Sequence, residues 1–407
     1  MWGMIDIKLV REHPELVVET IKKKHKHEKL ALLEEAKTKD VEWRHLKGKI
    51  DSLRAERNSL SKQIGNLKKA GKDAKVILKK AADIPSEIDR VEAHTAKLEE
   101  QISLLLDQLP NLIHESVPIG KSEKDNVVLK VIGKPKKMGF EVIGHAELAE
   151  KLGCADFASS AKTSGNGFYY LQGPLALLNQ ALIRYAIDCM VKTKFTYVET
   201  PLMLRGEVMN NVTDLNDQKN QIYKIEGEEL YLIGTSEHSL IGRYVDTILN
   251  EKDFPIKQTS YSMCFRKEIG SHGIDEKGLF RTHQFNKVEM VVVCTPENSM
   301  KHYEEMQKIT IGIFKDLGIP IRVLGICSGD LGDLKHVQVD VEAWSPRKKD
   351  YFEVASCSNL TDAQARKLKI RADGPRGRYV PHTLNNTALA TSRALVAILE
   401  NYQLKDG

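Results

Sequence analysis

Two apolar stripes of coiled-coil spacing, joined by a short glycine-bearing turn, constrain this chain more than any other feature. Positions 46, 50, 53, 57, 60, 64 and 67 step alternately by four and three. They hold Leu46, Ile50, Leu53, Arg57, Leu60, Ile64 and Leu67. A second run reads Ile77, Ala81, Ile84, Ile88, Val91, Thr95, Leu98, Ile102, Leu105 and Leu109. A stripe this narrow marks a coiled-coil seam rather than the wider apolar face of a globular core helix. The first pattern runs back weakly through Leu32, Ala36, Lys39 and Trp43. Lys69-Ala70-Gly71-Lys72-Asp73 separates the runs, so the chain is expected to double back as an antiparallel hairpin. At ~1.5 Å per residue, about 35 residues give an arm roughly 50 Å long, which should project from the rest. Pro85 is expected near the start of the second helix or at a kink.

The charge of this segment is uneven. Lys62, Lys68, Lys69, Lys72, Lys75, Lys79 and Lys80 face one acid, Asp73. A solvated coiled-coil surface would account for lysines. A rigid arm with a basic tip also suits contact with a nucleic-acid backbone, with a strength that falls as salt rises. Aromatics do not accompany the lysines, so base stacking is not indicated.

The rest of the 407 residues reads differently. Over the whole chain, hydrophobic residues make up 41% and charged residues 29%, which excludes collagenous, disordered and membrane-spanning classes. With 61 Lys and Arg against 56 Asp and Glu, net charge +5 permits a nucleic-acid partner without demanding one. No signal peptide or membrane span is evident, and Cys154, Cys189, Cys264, Cys294, Cys327 and Cys357 contain no CxxC pair. Reduced thiols in a cytoplasmic protein are expected. Residues 110–135 have a linker-like composition. Tyr223–Ile225 and Leu230–Ile233 read as a hairpin. Strands are expected at 288–294, 337–341 and 350–355, and helices at 175–192, 297–317 and 388–401. Consecutive strands without regular helical crossovers predict α+β architecture, an antiparallel sheet flanked by helices. No GxGxxG or P-loop pattern occurs.

Three segments carry chemistry. Gly234-Thr235-Ser236-Glu237 follows a strand. Phe265-Arg266-Lys267-Glu268, a charged loop through Gly273 to Gly278, and Arg281-Thr282-His283-Gln284-Phe285-Asn286-Lys287-Val288-Glu289 read as strand, loop, strand. Strand alternation puts Phe285, Lys287 and Glu289 on one face. Charged groups facing inward there are costly to bury unless something charged binds. Leu384-Asn385-Asn386-Thr387 leads into a helix bearing Arg393. Taken singly, Arg266 with Glu268 fits a structural ion pair, Phe285 a core residue, and His283 a structural histidine.

Taken in order, these residues resemble the seryl-tRNA synthetase family, a class II aminoacyl-tRNA synthetase family. The resemblance spans Met4 to Gln403. Phe265–Glu268 with Arg281–Glu289 is similar to motif 2, Ala390-Thr391-Ser392-Arg393 to motif 3, and Tyr197-Val198-Glu199-Thr200-Pro201 to motif 1, the dimer element. The motif 3 wording is closer to archaeal and eukaryotic forms. The resemblance implies an N-terminal tRNA-binding domain over 1–112 and a class II catalytic domain over 113–407. It implies activation of L-serine with ATP and Mg²⁺, then transfer to tRNA(Ser), with tRNA(Sec) a second candidate, by a cytoplasmic homodimer. Arg266, Glu289 and Arg393 would be catalytic. Serine would sit on Thr235, Ser236, Glu237, Arg266, Glu289, Asn385 and Thr387. ATP would contact Arg266, Lys267, Glu268, Thr282, His283, Gln284, Phe285, Glu353, Val354, Ala355, Ser356 and Arg393, with Glu353 and Ser356 holding the metal. Lys62, Lys68, Lys69, Lys72 and Lys75 would meet tRNA. The alternative is a catalytically silent paralogue that uses the arm and dimer as an RNA-binding scaffold.

Overall fold

The paired stripes form two long helices, α1 (Lys29–Lys69) and α2 (Lys75–Gln108). The computed structural model describes residues 3–213, 221–268 and 278–406. The chain divides into two compact units, one of residues up to 22 with 26–110, the other of 23–25 with residues from 111 onward. In the first unit, Ile84, Ile88, Val91, Thr95, Leu98, Ile102 and Leu105 of α2 are buried, as the seven-residue repeat requires. Leu53 and Leu60 of α1 pack with Ile84 and Ile88. Lys49–Glu87 and Arg54–Glu92, each 2.7 Å, bridge the helices at the surface. Such exposed pairs contribute at most ~1 kcal/mol, so the seam dominates.

Two expectations shift. The weak extension of the first stripe follows Leu33, Ala36 and Asp40 rather than Leu32 and Lys39. Buried Asp40 accepts from Arg11 Nε at 2.8 Å and from Arg44 Nε at 3.0 Å, which is how a carboxylate occupies a seam position. Pro85 lies inside α2, not at its start. Ile102 is fully buried. Ile102→Ala should destabilise the hairpin by about 2–4 kcal/mol, read as faster amide exchange confined to α1 and α2.

The second unit is built on an eight-stranded sheet. Its strands are β1 (Val127–Ile132), β2 (Thr196–Tyr197), β3 (Ile256–Phe265), β4 (Gln284–Cys294), β5 (Ile321–Gly325), β6 (Val337–Ser345), β7 (Asp350–Asn359) and β8 (His382–Ala390), in the order β1-β5-β6-β7-β8-β4-β3-β2. Every pairing is antiparallel except β2 with β3. Helices α3 (Gly173–Lys192), α4 (Ser236–Gly242), α5 (Ser299–Asp316) and α6 (Thr391–Asn401) accompany it. Val288, Met290 and Val292 of β4 and Val339 and Val341 of β6 pack with Met190 of α3, Phe314 of α5 and Leu395 of α6. The period of two then turns the intervening residues to the opposite face.

Two sequence expectations need correction. The stretch read as a linker contains β1, an edge strand with Val127, Val128, Leu129 and Val131 exposed. Residues 388–390 end β8 rather than begin α6. The expected hairpin forms, with Leu230–Leu232 folded back on 223–225, and its second arm also pairs with Met203–Arg205. Among the described residues no helix is long and apolar enough to cross a membrane.

Candidate active site

β4 carries Phe285, Lys287 and Glu289 on the face away from the packed helices, and all three line a cleft of about 1110 Å³. Strand pairing sets Ser260 and Ser262 of β3 and Thr387 of β8 beside them. Glu289 is 2% exposed and Lys287 7%. The buried carboxylate is compensated at one oxygen: Glu289 Oε2 meets Lys287 Nζ at 2.5 Å and accepts from Thr387 Oγ1 at 3.3 Å and Thr235 Oγ1 at 3.4 Å.

Thr235 caps α4, accepting from Glu237 N at 3.3 Å. That places Glu237 at the start of the helix and inside the cleft. Its Oε1 accepts from Asn385 Nδ2 at 2.8 Å and Gln364 Nε2 at 2.9 Å. Burial pushes the Glu237 carboxyl up, and the charge of Glu289 adds to this. The end of the cleft around Thr235 thus combines two carboxylates with hydroxyl and amide groups. Such a set suits a small ligand carrying an ammonium and a hydroxyl.

The other groups form a cationic wall. Arg266 Cζ lies 5.5 Å from the Phe285 ring centroid, and its Nε donates to Gly234 O at 3.3 Å. Glu268, at the end of the described segment, meets Arg281 Nη1 at 3.5 Å. Its φ of +48° lies in the left-handed region, which costs a non-glycine residue about 1–2 kcal/mol. Arg393 on α6 donates to Glu353 Oε2 at 3.0 Å and to Glu353 O at 2.8 Å, with its Cζ 5.2 Å from the Phe280 centroid. Burial raises the Glu353 carboxyl, but Arg393, with Arg266 and Lys335, outweighs it and holds the group below its usual range. Asp340 of β6, opposite Ser356 of β7, is pushed up to about 7 by burial and by the charge of Glu353.

Of the residues expected at the site, the structure brings Thr235, Glu237, Arg266, Glu268, Thr282, Phe285, Glu289, Glu353, Val354, Ala355, Ser356, Asn385, Thr387 and Arg393 to the cleft. Ser236, Lys267, His283 and Gln284 do not line it. Ser236 is fully buried and donates to Ser260 O at 3.3 Å. Lys267 Nζ lies 6.0 Å from the Tyr223 centroid, and Gln284 Nε2 reaches Met263 Sδ at 3.5 Å. His283 stacks on Phe168 at 5.3 Å, with Tyr223 OH 2.7 Å from its Nδ1. Gly167 makes room for that ring, since a Cβ there would fall 2.4 Å from His283 Cδ2. The charged loop read through Gly273 falls on 269–277, outside the described residues.

The sequence reading missed Lys287 as the partner of Glu289, Gln364 as a partner of Glu237, and also Phe280, Asp340 and His238. Their placement depends on strand pairing and loop closure that no local motif encodes, although His238 directly follows the Thr-Ser-Glu signal. His238 lines the cleft, and its buried Nδ1 has no hydrogen-bond partner among the described residues. Burial, then the charges of Arg266 and Lys287, push its pKa down to about 3, so the ring is neutral. The unfolded chain takes up a proton near pH 6.5 that the folded chain refuses. Stability from this group is therefore complete above pH 6.5 and lost as pH falls toward about 3. His238→Gln should flatten the fall in urea midpoint between pH 6.5 and 4, and an unchanged slope would count against the buried neutral ring.

Comparison with known proteins agrees with this geometry. Residues 4–113 match the family described as Seryl-tRNA synthetase N-terminal domain. Residues 221–402 match tRNA synthetase class II core domain (G, H, P, S and T). A serine–tRNA ligase from Methanocella arvoryzae is 45% identical over 408 residues, covering 99% of this chain and 96% of the relative. The seryl-tRNA synthetase from Pyrococcus horikoshii, solved in complex with ATP, has a TM-score of 0.95 at 42% identity. That match covers 99% of this chain and 95% of that one. The cytoplasmic serine–tRNA ligase from Naegleria fowleri, solved with AMP, has a TM-score of 0.90 at 30% identity, with the same coverage. With both units matched and the sequence aligned nearly end to end, the chain belongs to the seryl-tRNA synthetase family.

Proposed function

We propose that this chain activates L-serine with ATP to seryl-adenylate and transfers the seryl group to the 3′ end of tRNA(Ser). The observation that carries this reading is one cleft with two arginines beside aromatic rings and, next to them, the buried Glu237–Glu289 end with its hydroxyls and amides.

The serine carboxylate attacks the α-phosphorus in line, the bond to the β-phosphate oxygen breaks, and pyrophosphate leaves. Negative charge on the phosphoryl oxygens must be held in place, so catalysis is chiefly positioning and electrostatics. Arg266 bridges the α-phosphate and the serine carboxylate, and Arg393 holds the γ-phosphate; the guanidinium fork suits both. Phe285 stacks on adenine and Glu268 accepts from its amino group. Glu237 and Glu289 receive the ammonium, while Thr235, Asn385 and Thr387 fix the hydroxyl. Losing that hydroxyl leaves buried polar groups unpaired, which predicts rejection of alanine by ~10⁴-fold or more.

Magnesium fits Glu353 and Ser356 by chemistry, since that ion takes oxygen ligands and completes its shell with phosphate oxygens and water. Among the described residues no group of three His, Cys, Asp or Glu could hold a metal. When bound, the ion would neutralise developing phosphate charge.

The division of labour follows 1–112 for tRNA and 113–407 for chemistry. Lys62, Lys68, Lys69, Lys72 and Lys75 at the tip of the hairpin are all exposed and would meet the tRNA backbone. tRNA(Sec) is a second candidate substrate. A homodimer through motif 1 is supported by the edge position of β2 and by exposed Leu177, Leu202 and Met203. A cytoplasmic site is supported by six free cysteines. A silent scaffold would have no need to keep Arg266, Glu289 and Arg393 in one cleft. The test is charging of bulk tRNA with labelled serine: seryl-tRNA should accumulate and alanine should not be loaded. No labelled tRNA under any condition would overturn the reading.

A further inference from the structure

Glu237 is held by a side chain that stays outside the cleft. Gln364 lies on the short helix Ala363–Lys367, is 1% exposed and does not line the cleft. Its Nε2 donates to Glu237 Oε1 at 2.9 Å and, at the longer distance of 3.5 Å, to Val212 O. Its Oε1 accepts from Thr383 Oγ1 at 3.0 Å. Thr383 is fully buried on β8, where strand alternation sets it on the same face as Asn385 and Thr387.

These partners fix the direction of the amide. A flipped Gln364 would set its carbonyl oxygen against Glu237 Oε1 and Val212 O, both acceptors. The Thr383 hydroxyl anchors the other end. Without it, Gln364 Oε1 would be buried with no donor, and the amide could recover one only by turning away from Glu237. Asn385 Nδ2 adds a second donor to Glu237 Oε1 at 2.8 Å. Among the described residues, Glu237 Oε2 has no hydrogen-bond partner. Burial and the charge of Glu289 both oppose ionisation of Glu237. The Gln364 bond is the largest influence in the other direction, followed by the charges of Lys287 and Lys335. A glutamine with only a structural task could pair with backbone carbonyls, as Asn111 does with Leu334 O and Leu360 O. Gln364 instead places its shorter donor bond on a carboxylate of the cleft.

We propose that Gln364, anchored by Thr383, is a positioning residue for the amino-acid end of the cleft: it locks Glu237 Oε1, so that Oε2 is the oxygen offered to the ammonium of the substrate. This role rests on the reading that the chain activates serine. A carboxylate tied at one oxygen has lost its rotational freedom before the ligand arrives, so less ordering remains to be done on binding. A bond to an ionised acceptor is also the stronger kind, which suits a residue that must keep a half-buried carboxylate charged.

The test uses the full chain and measures KM for serine and for ATP separately in ATP–pyrophosphate exchange. Gln364→Met keeps the length of the side chain and removes its amide. KM for serine should rise about 10- to 100-fold, the loss expected for one hydrogen bond to a charged group. KM for ATP should stay within about twofold, because only the amino-acid end is disturbed. Thr383→Val touches no group in contact with Glu237, yet it should raise KM for serine by about 3- to 10-fold. Thr383→Ser keeps the hydroxyl and should return KM to the wild-type value. This second pair decides the question if Gln364→Met fails to fold, which thermal melting reports. Unchanged KM for serine in Thr383→Val, or KM for serine and ATP rising together in either variant, would overturn the proposal while wild-type exchange stands. A wild type without serine-dependent exchange would overturn the parent reading and this one together.

Discussion

Arg266→Ala is expected to lower serine-dependent adenylate formation by at least ~10³-fold while the protein stays folded. The size follows from removing a fixed cation at the point where charge develops, an effect of about 10²- to 10⁵-fold in comparable phosphoryl-transfer sites. The retained fold follows from the local contacts. The side chain makes a long 3.3 Å bond to Gly234 O and lies over Phe285, and neither contact supports the core. Glu289→Ala would be a poorer probe, because it strands the buried Lys287 ammonium and removes the acceptor for two threonines. ATP–pyrophosphate exchange, with thermal melting as the control for folding, separates the two effects. Wild-type exchange in Arg266→Ala would remove Arg266 from the chemistry.

Replacing residues 62–80 with a short neutral turn should spare serine activation and reduce kcat/KM for tRNA by at least ~100-fold. The deletion removes seven lysines and the weakly buried end of the seam. It leaves the better buried contacts between Leu53, Leu60, Ile84 and Ile88, so the shortened hairpin should still close. The lost affinity is electrostatic and should be largest at low salt. Steady-state charging at two salt concentrations, beside exchange on the same sample, gives the answer. Full charging by the shortened arm would show that the tip does not carry the tRNA contact.

Much of this molecule is legible in local pattern. The seam of α2 is written in seven-residue spacing because each buried position meets the same partner helix. Phe285, Lys287 and Glu289 share a face because strands alternate. What the sequence does not show are relations between distant segments. Gln364 reaches Glu237 across 127 residues, and Lys287 has significance only once Glu289 is seen buried beside it. β1 was hidden because Val127–Ile132 is an exposed edge strand with no polar alternation, set between glycine- and proline-bearing stretches. Ser236 and His283 sit inside the diagnostic motifs yet support the framework. A motif marks the segment that builds a site, and only the fold separates lining residues from supporting ones.

ATP–pyrophosphate exchange on the purified chain, with serine, threonine, alanine and glycine assayed in parallel, tests the central claim most directly. The account predicts exchange that depends on serine, with alanine and glycine at background because they leave the polar end of the pocket unpaired. Absence of exchange with every amino acid, or exchange equally strong with alanine, would contradict it.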